Sequence, residues 1–237
     1  MKLIKRIFKI TKYKLIPVTL AGLMLLSLSA CGNRSGTENT ETDLVEKLSI
    51  AQSVRQIITV EASGSTATVT MHVKDSDGVW SQLLSTSGYI GRNGIGKTSE
   101  GDGKTPTGIY HFTTAFGNKE NPGTAFDYTQ TDSSWYWVDD QSSAYYNRFV
   151  STDDVKCDWS SAEHISDYPD VYAYVLALDY NSSCTPGDGS AIFLHCSGGK
   201  ATAGCIAIPE SCMLTILQNI STDCIIIIDS ADNLENY

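Results

Sequence analysis

His195 and Cys205 are the side chains in this sequence best placed to do covalent chemistry. They bracket nine residues, CSGGKATAG, inside the run AIFLHCSGGKATAGCIAIP from Ala191 to Pro209. A cysteine attacks a carbonyl carbon as its thiolate, and a neighbouring imidazole supplies that form by taking the proton. A glycine-containing loop returning from His195 can bring ring and sulfur together. Backbone N–H groups at Ala203 and Gly204 can then hold the developing oxyanion. The same spacing also suits a buried cysteine packed beside a strand-end histidine. A zinc site built from His195, Cys196, Cys205 and Cys212 is disfavoured, because no Cys-x2-Cys or His-x3-His spacing occurs. A second stretch of interest is GRNGIGKT, Gly91 to Thr98, which satisfies the phosphate-loop pattern G-x-x-x-x-G-K-[ST].

Both candidates depend on the elements that carry them. A phosphate loop runs from a strand into a helix whose N-terminus binds the phosphates. Here Thr98 is followed by SEGDGKTPTG, whose three glycines and one proline break any such helix, so no nucleotide is expected as partner. The segments QIITVEA, TATVTMHV, GVWSQLLSTS, TGIYHFTTAF, SWYWV, VYAYVLALDY, AIFLH and CIIIID are rich in β-branched and aromatic residues and are separated by Gly, Asn, Asp and Ser clusters. That pattern predicts a mainly β fold, a sandwich with a few short helices. One helix is expected after Pro209, with Met213, Leu214, Leu217 and Ile220 on one face, and a shorter one over Leu44 to Val54.

The leader sets the compartment. Lys2, Lys5, Arg6, Lys9, Lys12 and Lys14 precede the apolar run Val18 to Leu28, an export signal over residues 1–30. It ends in Leu28-Ser29-Ala30-Cys31, which resembles the bacterial lipobox and makes Cys31 the expected lipidation residue. The expected location is outside the cytoplasm, lipid-anchored to the cell membrane and facing the wall. Removing the leader leaves 11 basic against 27 acidic side chains, a formal charge of −16. With no basic cluster, nucleic acid is excluded as a partner. Residues 31–53 read as a polar tether and short helix, 54–230 as one catalytic domain, and 231–237 as a tail.

The residues around His195 and Cys205 resemble the signature of the L,D-transpeptidase catalytic domain family (YkuD-like), in which a strand-end histidine precedes a Ser/Thr-x-Gly-Cys segment. Thr202-Ala203-Gly204-Cys205 matches that segment, and GDGKTPTGIYHF, residues 101–112, resembles the family's upstream segment built on Lys, Thr-Pro and Gly. Two departures are a missing second histidine, replaced by Ala203, and a shortened loop before the cysteine. The resemblance implies the family's β-sandwich and attack by Cys205 on a peptidoglycan stem peptide, with His195 as base. It also implies a ring-orienting carbonyl from Cys196 or Ser197, a thioester, and transfer to an amine or to water. It implies no metal or organic cofactor. Thr202, His111 and Tyr168 are candidate substrate-binding residues.

Of the remaining side chains, Cys157 and Cys184 sit in polar loops and could pair in an exported protein, whereas Cys212 and Cys224 flank the last helix and read as small hydrophobes. His72, on an alternating strand, and His164, in a polar loop, read as surface histidines. Trp135-Tyr136-Trp137 and Tyr145-Tyr146 read as core or as an aromatic wall for substrate.

Overall fold

The computed structural model describes residues 40–237. The expected signal peptide, the expected lipidation residue Cys31 and the expected tether as far as residue 39 lie outside the described residues. The chain is mainly β, as expected. Its principal sheet contains β1 (Gln56–Ser63), β2 (Thr66–Lys74), β3 (Trp80–Tyr89), β4 (Gly108–Gly117), β5 (Tyr128–Gln130), β9 (Val175–Leu178), β10 (Phe193–Cys196), β11 (Ile206–Ile208) and β12 (Ile225–Ser230). The order is β12-β1-β2-β3-β11-β10-β9-β4-β5. β4 closes the sheet on itself, because Gly108–His111 pair with β12 while Phe112–Phe116 pair with β9. The two layers of the sandwich are therefore joined through one long strand.

The apolar sequence of β12 follows from its position. Ile225, Ile226, Ile227 and Ile228 are all buried, because both faces of the sheet are covered there. Ile226 and Ile228 join the main core, whereas Ile225 and Ile227 join a second cluster with Val45, Leu48, Trp80 and Leu234. That second cluster is capped by α1 (Thr40–Lys47) and α3 (Ala231–Leu234). Residues 231–237 are thus part of the folded body, with Leu234 buried and the Tyr237 hydroxyl bonded to Asp229 at 2.7 Å. Residues 44–53 belong to it as well.

α2 (Glu210–Asn219) buries Met213, Ile216 and Leu217 against the main core. Pro209 stands at its N-cap, directly before the first helical residue. A separate three-stranded sheet of β6 (Trp135–Val138), β7 (Phe149–Ser151) and β8 (Ala162–His164), with β6 in the middle, flanks the principal sheet. Phe116, Trp137, Tyr172 and Phe193 pack between the two. His72 is a correction. It lies on the face of β2 that its partner Ile57 occupies on β1, and it is fully buried with neither ring nitrogen bonded among the described residues.

Candidate active site

β10 and β11 are adjacent and parallel, with Leu194 opposite Ile206 and His195 opposite Ala207. Side chains alternate along a strand, so His195 and Ala207 share one face, and Cys205, two residues before Ala207, joins them there. His195 is 5% exposed and Cys205 9%. Both line a groove of about 270 Å³ whose walls include Tyr168, Tyr172 and Glu163. The neighbouring Cys196 points the other way into the main core, where its thiol meets the Tyr174 carbonyl.

The His195 ring is fixed on two sides. Its Nδ1 lies 2.8 Å from the Cys196 carbonyl, and Tyr172 packs edge to face against it at 5.5 Å. Nδ1 therefore carries the proton and donates it to that carbonyl, leaving Nε2 as the basic nitrogen. Burial lowers the His195 pKa to about 4, against smaller opposing effects of the Cys196 and Val171 carbonyls. Of the two carbonyls expected to orient the ring, that of Cys196 is in place. Ser197 instead donates its N–H to the Ile208 carbonyl and accepts the Gly199 N–H on its hydroxyl.

The Cys205 thiol donates to the Ala191 carbonyl at 3.0 Å. Ala191 itself adopts a left-handed backbone conformation, with φ of 53°, which turns its carbonyl to the sulfur. The buried Asn147 holds that conformation by accepting the Ala191 N–H at 3.2 Å. Burial raises the Cys205 pKa to about 12; the Phe193 backbone and Lys97 lower it and Glu163 raises it further. The thiolate–imidazolium pair expected from proximity alone is not the resting form. Desolvation disfavours both charges, and the site rests as thiol and neutral imidazole.

The Thr202–Cys205 turn is braced from two directions. The Thr202 hydroxyl donates to the Cys205 carbonyl at 2.7 Å and accepts the Gly204 N–H at 3.1 Å. Thr202 lines the groove, but its hydroxyl is committed to the turn, and the Gly204 N–H is committed with it. Thr105, fully buried, donates to the Gly204 carbonyl at 2.7 Å and accepts the Gly91 N–H at 2.9 Å. Gly204 admits no side chain, because a Cβ there would stand 2.9 Å from the Lys104 carbonyl oxygen. Thr105→Val keeps the volume and leaves a buried carbonyl and a buried N–H unpaired. It should destabilise the fold by about 2 kcal/mol or more, lowering Tm by roughly 4–8 °C. Thr105→Ser should restore most of this, and an unchanged Tm in the valine variant would show that the brace carries no load.

The phosphate-loop lookalike serves the same site. Its residues form turns and isolated bridges, Gly91 with Thr202 and Ile95 with Thr105, and residues 98–107 contain no helix. The Lys97 side chain is buried and paired with Asp102 at 3.0 Å. Burial alone would raise Asp102, but the Thr98 and Lys104 N–H groups, the Lys97 ammonium and the Ser99 N–H bring it down to about 2. Lys97, Glu100, Asp139 and Ser190 line a second cavity, of about 210 Å³, that also reaches Cys205.

Tyr168 stands at the groove, 49% exposed. His111 lines neither cavity. It is exposed on β4, where it pairs with Asp179 at 3.2 Å. Trp137 and Tyr146 are core, while Trp135, Tyr136 and Tyr145 are half-buried, and Tyr136 stacks on His164 at 4.3 Å. His164 is half-buried and bonded to Asp167 and Ser133. Cys157 and Cys184 are free thiols rather than a disulfide; Cys157 meets the Trp159 carbonyl, and Cys184 meets those of Ser182 and Asn147. Glu163, Tyr172, Ala191 and the bracing role of Thr105 were missed in the sequence. Only Thr105 carried a signal, through its place in the GKTPTG segment.

The family model of the L,D-transpeptidase catalytic domain (YkuD) matches residues 56–228. Among solved structures, the chain is similar to the crystal structure of the helical cell shape determining protein Pgp2 from Campylobacter jejuni, at 15% identity and a TM-score of 0.42. That similarity covers 79% of this chain and 54% of the other, so the chain spans about half the length of the structure it matches. No curated protein matches it.

Proposed function

Because this chain belongs to the L,D-transpeptidase catalytic domain (YkuD) family, we propose that it is a cysteine acyltransferase acting on peptidoglycan stem peptides, with Cys205 as nucleophile and His195 as base. The observation that carries this reading is that the two side chains, brought onto one sheet face by parallel strands, line the same groove. A donor stem in that groove places the carbonyl of its third residue over the sulfur. The thiol turns from the Ala191 carbonyl to Nε2 of His195, which takes its proton as sulfur bonds to carbon. With the Gly204 N–H engaged by Thr202, the amides of Ala203 and Cys205 face the oxyanion. Collapse breaks the bond to the terminal D-alanine, whose amine takes the proton from His195, and leaves a thioester on Cys205. An amine on a neighbouring stem then takes the acyl group, forming a 3→3 cross-link.

Lipidation at Cys31 completes the proposal by holding the enzyme outside the cytoplasm against the wall. Labelled fatty acid should enter the wild type and not Cys31→Ala; equal labelling would exclude the anchor.

Mass spectrometry of products from a tetrapeptide stem tests the activity. Release of D-alanine together with cross-linked dimers is expected. Release without dimers at high acceptor concentration would make the protein a carboxypeptidase. Stem cleavage without D-alanine release would make it another hydrolase, and binding without turnover a peptidoglycan-binding lipoprotein.

A further inference from the structure

Two cavities meet at Cys205. The groove on one side holds His195, Tyr168 and Tyr172, and the cavity on the other holds Lys97, Glu100, Asp139 and Ser190. Three residues line both: Glu163, Ala203 and Cys205. Of these, Cys205 and Glu163 carry ionisable groups, so one carboxyl borders both cavities that reach the nucleophile. We infer that Glu163 serves the second half of the reaction, docking the ammonium group of the acceptor in the cavity beside Lys97 and taking one of its protons. This rests on the acyl-transfer reading above and assigns the two cavities to the two substrates.

The donor belongs on the His195 side, because His195 must receive the thiol proton and return it to the leaving amine. Once the acyl group occupies that groove, an acceptor needs another approach to the thioester carbon. The second cavity supplies it and reaches the surface at the exposed Gly101. Its chemistry suits a cation. The ammonium of Lys97 is already paired with Asp102. Glu100 accepts the hydroxyls of Tyr146 at 2.7 Å and Ser190 at 2.6 Å, and Glu163 accepts the Tyr172 hydroxyl at 3.0 Å. The buried Oδ1 of Asp139 has no partner among the described residues. A buried oxygen without a donor is costly, and an N–H of the incoming ammonium would provide one. Burial, together with the charges of Asp139 and Glu100, raises the Glu163 pKa and makes it a better proton acceptor than an ordinary carboxylate; the Tyr172 hydroxyl opposes this.

The protons balance. The acceptor arrives as R–NH3⁺ and gives one proton to the Glu163 carboxylate. The free amine attacks the thioester carbon, the N–C bond forms, and a second proton passes to Nε2 of His195. The C–S bond breaks, the departing sulfur takes the proton from His195, and Glu163 returns its own to solvent. The products are an amide and the resting thiol. The ligand class is the primary amine of a cationic amino-acid side chain.

The experiment uses a stem tetrapeptide as donor and Nα-acetyl-L-lysine amide as acceptor. Glu163→Gln removes the charge and keeps an oxygen for the Tyr172 hydroxyl. In this variant the ratio of transfer to hydrolysis should fall about tenfold or more, and the thioester on Cys205 should accumulate in intact-mass spectra. An unchanged ratio, or equal losses in D-alanine release and transfer, would overturn the assignment. A wild type that never forms the thioester would overturn the acyl-transfer reading and this assignment with it. The wild type supplies an arm that needs no variant. It should prefer Nα-acetyl-L-lysine amide to Nα-acetyl-L-lysine, whose carboxylate meets the negative cavity, and equal use of the two would count against an ammonium site.

Discussion

Cys205→Ala should abolish stem-peptide turnover, lowering it by on the order of 10⁴ or more, because no other group in the groove can form the thioester. His195→Gln should cost about 10³-fold, the scale of a lost general base. The resting ionisation sharpens this prediction. With the thiol at about 12 and the imidazole at about 4, the pair is neutral across the whole physiological range. Protonation of His195 below about pH 4 removes the base, and no thiol titration intervenes before about pH 12. The kcat/KM profile should therefore be flat from about pH 5 to 9. Iodoacetamide at pH 8 should label the exposed Cys157 well before Cys205. Cys205 labelled faster than Cys157 below pH 7 would establish a preformed thiolate and discard the neutral pair.

The second large effect is on stability. His72 is fully buried, neither of its nitrogens has a partner among the described residues, and burial lowers its pKa from 6.5 to about 4. The unfolded chain then binds the proton more tightly than the native state, so stability is complete above pH 6.5 and is lost as pH falls toward 4. The loss for one such group is about 3 kcal/mol. His195, also lowered by burial to about 4, adds a loss in the same window, whereas Asp102, held at about 2, contributes only below it, and Glu163, raised by burial, acts with the opposite sign. His72→Leu isolates the effect. Its urea midpoint should exceed that of the wild type at pH 7, since two unbonded polar atoms are gone, and by more at pH 4.5. A constant difference between the two pH values would show that His72 does not titrate in the fold.

The sequence disclosed the parts whose signal is local. Continuous apolar runs such as CIIIID became β12, and the helix expected after Pro209 became α2. The three-residue strands β5, β7, β8 and β11 are too short to show a period, and they pair because longer neighbours hold them. His72 alternates as a surface residue would, but α1 and α3 cover the face of the sheet on which it sits. At the site, Cys205 and His195 were legible from residue type and spacing. The position of Glu163 against both cavities was not, because it lies 42 residues before Cys205 on a different sheet. Nor could spacing reveal the thiol's ionisation, since proximity argues for an ion pair and only burial argues against one.

The meeting of α1, the turn that follows it and the last residues has a use in protein engineering. The Ser49 N–H and hydroxyl both donate to the Tyr237 carbonyl, at 2.8 and 2.9 Å. These two points, 188 positions apart along the chain, are in contact. A fusion partner attached directly at Tyr237 would press on that contact, whereas one inserted in the exposed polar turn around Asp153 and Asp154, away from both cavities, leaves it in place. Such an insertion should keep α1, the core and the turnover. It moves an attached label from the side capped by α1 to the rim of the three-stranded sheet.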